Sequence, residues 1–156
     1  MKLSLDLEGV IFSIEISDYR NPQKDDGGYF WCLVNLYCHS KNIDYKLIND
    51  EALESSEVDS VLKYCTALLE GELSVAHTIE PLEPYLAFEY IPDTVYGAIM
   101  KLKLILWDVG PSENCIDLVL FEEEIEYLRN YLLLVTGQIN ESNQDIVKMI
   151  DEGIIS

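Results

Sequence analysis

The 156-residue chain has a mass of 17.9 kDa and a hydrophobic content of 49%, which favours one packed domain and argues against disorder. Its 29 acidic and 10 basic residues give a formal net charge of −19. A field of this sign repels nucleic acid and anionic membranes, so we expect neither as a direct partner, and it speeds encounters with basic proteins. Acids outnumber bases in both halves, by 14 to 6 in residues 1–78 and by 15 to 4 in residues 79–156. The excess therefore belongs to the domain, where improved solubility is the simplest alternative explanation.

Neither export nor membrane insertion is indicated. The first ten residues alternate polar and apolar types and lack the continuous apolar stretch of a signal peptide. No run approaches the roughly 18–20 apolar residues of a membrane span. We therefore expect a cytoplasmic protein. Its cysteines form no CxxC pair, which predicts reduced, buried thiols ahead of disulfides or metal ligands at Cys32, Cys38, Cys65 and Cys115.

Strands open the chain. Apolar residues alternate over 3–7 and again over 10–16 with the opposite parity, which predicts two strands and a turn or bulge at Gly9. Residues 17–28 are rich in turn formers and predict a surface loop. Residues 29–39 have one uniformly apolar row and one aromatic row, which predicts a central strand covered on both sides. Residues 43–48 predict its partner strand.

The hydrophobic period then changes. Apolar residues fall at helical spacing on one face, at Val58, Val61, Leu62, Cys65, Leu68 and Leu69. We expect Ser56 and Asp59 to form the N-terminal cap pair and Gly71 to end the helix.

Strand patterns resume at 73–79 and 84–91, followed by a turn at 91–97. Residues 98–109 and 115–121 predict a hairpin around the Gly-Pro pair of 110–114. A second amphipathic helix follows, ending at Gly137, with its buried stripe at Ile125, Leu128, Leu132 and Val135. Residues 138–156 form a tail in which 145–150 have the pattern of a short helix.

The element order ββββ-α-ββββ-α predicts an α+β fold, with about eight mostly antiparallel strands and two main amphipathic helices. We assign residues 1–137 to a single domain and 138–156 to its C-terminal tail.

Motifs for catalysis are missing from the sequence. It has neither a glycine-rich phosphate loop nor a GxSxG elbow, and neighbours such as Cys38 and His39 face opposite sides of a strand. The glutamates of "EEE" at 122–124 lack the spacing of a calcium loop. We therefore predict no catalytic, cofactor-binding or metal-ligating residue. A small enzyme that uses carboxylates stays an alternative, since Glu80, Glu83 and Glu89 would suit acid–base work if one of them were buried.

Two long stretches lack positive charge. Residues 64–100 contain six acids and no lysine or arginine, and residues 104–128 contain seven acids and again neither base. Tyrosine is the commonest aromatic residue, with ten copies, and it offers a large contact area with a polar tip. Carboxylates beside aromatic rings suit a positively charged partner, including an arginine stacked on a ring. We predict that such a partner binds at Glu80, Glu83, Glu89 and Asp93, with Tyr85 and Tyr90 as aromatic anchors.

The order of these segments resembles the WapI-like immunity protein family. The likeness is carried by "LDLEGVIFSIEIS", "WCLVNLYC", "LEPYLAFEYIP", "KLKLILWDV", "IDLVLF" and "LRNYLLLV", and covers residues 1–137. It implies a small cytoplasmic bacterial protein that neutralises the toxic C-terminal domain of a contact-dependent or polymorphic toxin; in the namesake system that domain attacks tRNA. It supplies no motif residues, so the interface is predicted from charge alone.

Besides the small enzyme, two non-catalytic classes of function therefore remain open. The first is an immunity protein that occludes a basic toxin domain, such as a nuclease, by docking without chemistry of its own. A variant of it is a DNA mimic, whose carboxylates would lie at phosphate-like spacing along one ridge. The second is a non-catalytic interaction or assembly domain of phage or regulatory origin, which predicts a homo-oligomer or a non-toxic partner.

Overall fold

A computed structural model describes residues 1–24 and 30–156. The first half forms a four-stranded antiparallel sheet in which strands are neighbours in chain order: β1 (Lys2–Leu7), β2 (Val10–Ser17), β3 (Trp31–His39) and β4 (Asp44–Glu54). Helix α1 (Ser55–Leu69) follows directly.

The second half repeats this layout. Its antiparallel sheet consists of β5 (His77–Ile79), β6 (Leu86–Ile91), β7 (Ile99–Trp107) and β8 (Pro111–Leu120), again in chain order. Helices α2 (Glu122–Val135) and α3 (Gln144–Asp151) complete the described chain. The predicted α+β class and the order ββββ-α-ββββ-α are confirmed. Helix α1 contacts β4 and β6, while α2 contacts α1, β1, β7 and β8, so the helices join the two sheets around one core.

The change of strand parity at Gly9 comes from a tight turn. Gly9 has a φ of 90°, a left-handed conformation that glycine adopts without penalty, and Glu8 before it has a φ of 55°. The Asp6 carboxylate accepts the Gly9 N–H at 2.9 Å and holds the turn. The apolar rows of β1 and β2 then face the same side, with Leu5 opposite Phe12.

Strand β3 is central in its sheet, as predicted, but it is fully covered on one side only. Its inner row is buried, at Cys32, Val34, Leu36 and Cys38. Its outer row keeps contact with solvent: Trp31, Leu33, Asn35 and Tyr37 are half-buried and His39 is exposed. Residues 25–28 of the predicted surface loop and Tyr29, the first residue of the predicted aromatic row, lie outside the described residues.

Both long helices follow the predicted stripes, but α1 is capped differently. Glu54 occupies its N-cap position, and the carboxylate of Glu57 accepts the Glu54 N–H at 2.8 Å. The predicted Ser56–Asp59 pair does not form the cap, because the N-cap is Glu54, two residues earlier than Ser56, and Asp59 accepts the hydroxyl of Tyr19 at 2.7 Å. Gly71, with a φ of 70°, follows the end of α1 as expected.

Two strand boundaries differ from the prediction. Only His77–Ile79 of the segment 73–79 pairs as a strand. The β7–β8 turn is confined to 108–110, where the Asp108 N–H donates to the carbonyl of Gly110, so β8 already begins at Pro111. Proline is tolerated there because a strand's first residue has no obligatory donor role.

The segment 138–156 packs on the same core as the rest of the chain. It contains the expected short helix, α3, which buries Ile146 and Met149. Beyond α3, Ile155 bridges to Leu3 and is 1% exposed. The backbone of Ser156 exchanges two hydrogen bonds with that of Lys2, at 2.8 and 3.0 Å. The end of this segment therefore continues the edge of the first sheet.

Three of the four free cysteines are buried, as predicted, but the prediction is wrong for Cys115, which is exposed on β8. Burial raises the pKa of the Cys65 thiol to about 12. These buried thiols serve as small apolar core residues.

Tyr131 fastens α2 to the first sheet. Its ring is 0% exposed, its hydroxyl oxygen accepts the Ile16 N–H at 2.9 Å, and its hydroxyl donates to the Met1 carbonyl at 3.1 Å. Burial raises its pKa above the usual 10.0, so the hydroxyl stays protonated in the folded state at pH values where the unfolded chain has begun to ionise.

We expect Tyr131→Phe to lower the free energy of unfolding by about 1–3 kcal/mol in urea denaturation at pH 7, because it leaves a buried N–H without an acceptor. The exposed Tyr96, changed to Phe, is the matched control and should be neutral. Because the pKa of Tyr131 is raised in the folded state, its contribution to the free energy of unfolding is complete below about pH 10 and is lost as the pH rises further. The stabilities of the wild type and of Tyr131→Phe should therefore converge in alkali. Equal stability of the three proteins at pH 7 would contradict this role.

Candidate functional site

The structure separates the six residues predicted to bind a partner. Glu80 and Glu83 lie in the β5–β6 loop and Tyr85 ends it, at one end of β6. Asp93 lies in the turn beyond the other end, about 20 Å away along six strand residues. Only Glu80, Glu83 and Tyr85 are therefore brought to one region.

Tyr90 does not belong to this surface, and its prediction as an anchor is corrected. It shares the parity of the buried Leu86 and Phe88, is 0% exposed, and lies 5.6 Å from the Tyr64 ring between centroids. Its hydroxyl donates to the Val61 carbonyl of α1 at 3.4 Å. Tyr90 is thus a core residue that connects the second sheet to α1.

Glu89 lies on the outer face of β6, where the neighbouring strand supplies positive charge. In the register of the second sheet Glu89 is directly opposite Lys101, and Lys103 follows two residues along β7. Glu89 belongs to a stretch of sequence without lysine or arginine, but the fold places a lysine of the next strand beside it. A partner cation would compete there with a lysine of the chain itself.

The β5–β6 loop ends in an aromatic pair. The rings of Tyr85 and Trp107 are stacked, with centroids 4.3 Å apart and planes 17° from parallel. The indole N–H of Trp107 donates to the Pro84 carbonyl at 3.2 Å, and Trp107 remains 37% exposed. The pair is therefore held in one orientation while part of it faces solvent.

A bulge in the first sheet brings a carboxylate to this pair. The register of β3 with β4 shifts between Leu36–Leu47 and Val34–Asp50, and Asn49 between them has a φ of 50°. The shift turns Asp50 towards the side of the buried Val34, where it accepts the Tyr85 hydroxyl at 3.2 Å. The two sheets thus meet through this hydrogen bond.

The β5–β6 loop is also tied to the start of α1. One oxygen of the Glu57 carboxylate accepts the helix-capping N–H of Glu54, and the other accepts the Leu82 N–H at 2.6 Å. Leu82 itself is 69% exposed. The tie places an exposed leucine and Glu83 next to the aromatic pair. We call Asp50, Leu82, Glu83, Tyr85 and Trp107 the acidic–aromatic corner.

The negative charges of the corner affect the pKa of Tyr85. Burial raises its pKa, and the carboxylates of Asp50 and Glu83 add to the rise because they disfavour a phenolate beside them. Tyr85 therefore remains a neutral donor to Asp50, and the negative charge stays on the carboxylates. Stacked aromatic rings flanked by carboxylates form a site suited to a guanidinium or ammonium group.

Sequence reasoning missed three members of the corner, Asp50, Leu82 and Trp107. Trp107 had a usable signal, since tryptophan is rare in this chain and enriched in interface hot spots. Asp50 had none, because its orientation depends on a bulge and on a contact with a distant strand.

A cavity of about 740 Å³ lies between α1, α2 and residues 19–23. Its rim carries both signs of charge, from Asp59, Glu70 and Glu72 against Lys63 and Arg129. It therefore lacks the single-sign field of the corner. Within residues 1–24 and 30–156, no three of the His, Cys, Asp and Glu side chains are placed to hold a metal ion. The same part of the chain contains no helix of the length and apolarity that a bilayer crossing requires.

We expect Glu57→Ala to release the β5–β6 loop, because it removes the acceptor shared by the Leu82 and Glu54 amides. Hydrogen exchange of the Leu82 amide should accelerate, and stability should fall by about 0.5–2 kcal/mol, as for a lost helix cap. Glu72→Ala, at an exposed glutamate after α1, is the control. Unchanged exchange at Leu82 would contradict the tie.

A model of the immunity protein WapI-like family matches residues 3–139, most of the 156-residue chain. The matched segment includes both sheets, α1, α2 and all five residues of the acidic–aromatic corner. No curated protein matches the chain.

Proposed function

Since the chain belongs to the WapI-like immunity protein family, we propose that it neutralises its cognate toxin by binding a basic C-terminal toxin domain at the acidic–aromatic corner. The observation that carries this proposal is the Tyr85–Trp107 stack, which lies beside Asp50 and Glu83 and is preceded in the same loop by the exposed Leu82. The inhibition is by occlusion and requires no chemical step by this protein.

The geometry of the corner supports an energetic centre for binding. Tryptophan and tyrosine dominate hot spots because they bury large areas at little cost in side-chain entropy. Here the side chains have lost their conformational entropy before any partner binds, because Trp107 donates to Pro84, Tyr85 donates to Asp50, and Glu57 accepts the Leu82 N–H of the loop. Preorganisation of this kind favours tight binding.

The charge supports fast capture. A net charge of −19 raises the local concentration of a basic protein and accelerates encounter. Toxins that act on nucleic acid need a basic face to hold phosphate. An acidic inhibitor that covers such a face blocks the substrate without contacting the reacting groups, so we extend the proposal to a nuclease as the toxin.

The first test is co-expression with the cognate toxin domain, followed by stopped-flow association of the purified proteins. Growth should be rescued, and the association rate should fall by about tenfold or more between roughly 0.01 M and 1 M salt, as screening removes the steering. Absence of rescue would refute neutralisation. Rescue with a salt-insensitive rate would refute the electrostatic part alone, and a homo-oligomer that ignores the toxin would favour an assembly domain.

The second test is Trp107→Ala. We expect its dissociation constant for the toxin domain to rise about 30-fold, equivalent to roughly 2 kcal/mol, because the centre of the proposed interface is removed. Tyr37→Ala, which truncates a half-buried aromatic residue on the outer face of the first sheet, is the control and should bind as the wild type does. Circular dichroism verifies that both variants fold. If Trp107→Ala binds normally and Tyr37→Ala does not, the interface lies on the other sheet.

A further inference from the structure

A groove with a volume of about 440 Å³ runs between the β1–β2 turn and β8, where the edges of the two sheets approach each other. Its lining is mainly apolar: Leu7 and Val10 come from the first sheet, and Leu118, Val119 and Phe121 come from the second. Val119 and Phe121 are 39% and 41% exposed. This volume lies within the roughly 300–1,000 Å³ of pockets that hold ligands.

Every charged residue that lines the groove is acidic. Asp6 and Glu8 stand on one side and Asp117 and Glu124 on the other, with no lysine or arginine in the lining. In the described part of the chain none of the four forms an ion pair. Two have structural roles, since Asp6 accepts the Gly9 N–H and Glu124 accepts the Phe121 N–H at 2.9 Å. Glu8 and Asp117 do not support the backbone in this way. Asp117, however, lies opposite Lys103 of β7 and accepts the Cys115 thiol at 3.5 Å, so a partner cation would compete with Lys103 at Asp117.

The spacing of these carboxylates argues against a single bound ion. Within the described residues no three acidic, histidine or cysteine side chains converge closely enough to coordinate a metal. Separated carboxylates above an apolar floor instead match lysine and arginine side chains, whose aliphatic stems lie on apolar surface while the charged heads extend to a polar rim. The occupant that fits is a chain segment that carries several such side chains.

The groove is on the same face of the second sheet as the acidic–aromatic corner. The registers place Ala87, Lys103 and Asp117 in one row across β6, β7 and β8, and the Tyr85 carbonyl accepts the Ile105 N–H one row away. With strands about 4.8 Å apart and about 3.3 Å per residue, Tyr85 and Asp117 are separated by roughly 12 Å at the backbone. One protein partner spans that distance easily.

We propose that this groove binds a lysine- or arginine-bearing segment of the toxin domain, as a second contact beside the acidic–aromatic corner. This inference rests on the proposed function for the source of the segment. The basic side chains reach Glu8, and reach Asp117 in competition with Lys103, while their methylene groups cover Val119 and Phe121. The two contacts together fix the orientation of the toxin, because the corner lies at the ends of β6 and β7 whereas the groove lies between β8 and the β1–β2 turn.

The test measures the dissociation constant of the same toxin domain for two groove variants by isothermal titration calorimetry. Glu8→Gln/Asp117→Asn removes charge without disturbing a backbone hydrogen bond and should weaken binding by on the order of tenfold. Val119→Thr keeps the branched shape but makes the floor polar, and should weaken binding by about threefold.

Matched controls distinguish the groove from general charge and composition. Glu72→Gln/Glu141→Gln removes two exposed carboxylates away from the groove, and Val147→Thr makes the same change at a valine that is 42% exposed on α3. Both should bind within about twofold of the wild type, as contacts outside an interface do. Losses as large as those of the groove variants would overturn the proposal. Wild-type affinity of both groove variants would overturn it while leaving the proposed function intact, whereas failure of the wild type to bind the toxin domain would count against the proposed function itself.

Discussion

The core of this protein has to hold together a surface whose charges repel one another. With 29 acids against 10 bases, the folded state brings together carboxylates that the unfolded chain keeps apart. Ion pairs offer little relief: those in the described residues, such as Lys148 with Glu152 at 3.9 Å, lie at or near the surface, where a pair contributes about 0–1 kcal/mol. Stability therefore depends on apolar burial and on a few buried tyrosine hydrogen bonds. Six of the carboxylates lie beside apolar and aromatic surface at the corner and the groove: Asp6, Glu8, Asp50, Glu83, Asp117 and Glu124.

Helix α1 and α2 join two sheets that otherwise share few backbone contacts. Each half of the chain is an antiparallel four-stranded meander followed by a helix, and neither sheet alone covers its apolar face. The connection is made by single tyrosines: Tyr131 reaches from α2 to β2, Tyr90 from β6 to α1, and Tyr85 from the second sheet to β4. The high tyrosine content is thus explained in part by the interior, where a ring fills volume and its hydroxyl satisfies a distant backbone group.

Most of the fold could be predicted from the sequence because its elements are encoded by local periodicity. Alternation at Leu3–Leu5 and the helical spacing at Val58–Val61 depend on neighbouring residues only, and the structure has the corresponding elements. The candidate site depended on information that a single strand does not contain. Glu89 lies opposite Lys101 of the next strand, and Asp50 is oriented by a bulge, so both placements required the tertiary register. Tyr90 is the exception, because the parity that it shares with Leu86 and Phe88 was enough to predict that it faces inward.

The carboxylate of Glu57 has a consequence for recognition. Because it bonds to the first turn of α1 and to the loop at the same time, the loop has a defined position only while that helix is intact. A molecule in which α1 has frayed or not yet formed loses the binding geometry in the same event. Under the proposed binding mode, recognition therefore depends on folding: a copy in which α1 is damaged or not yet formed would not hold a toxin molecule in an incomplete complex, and only native molecules would bind.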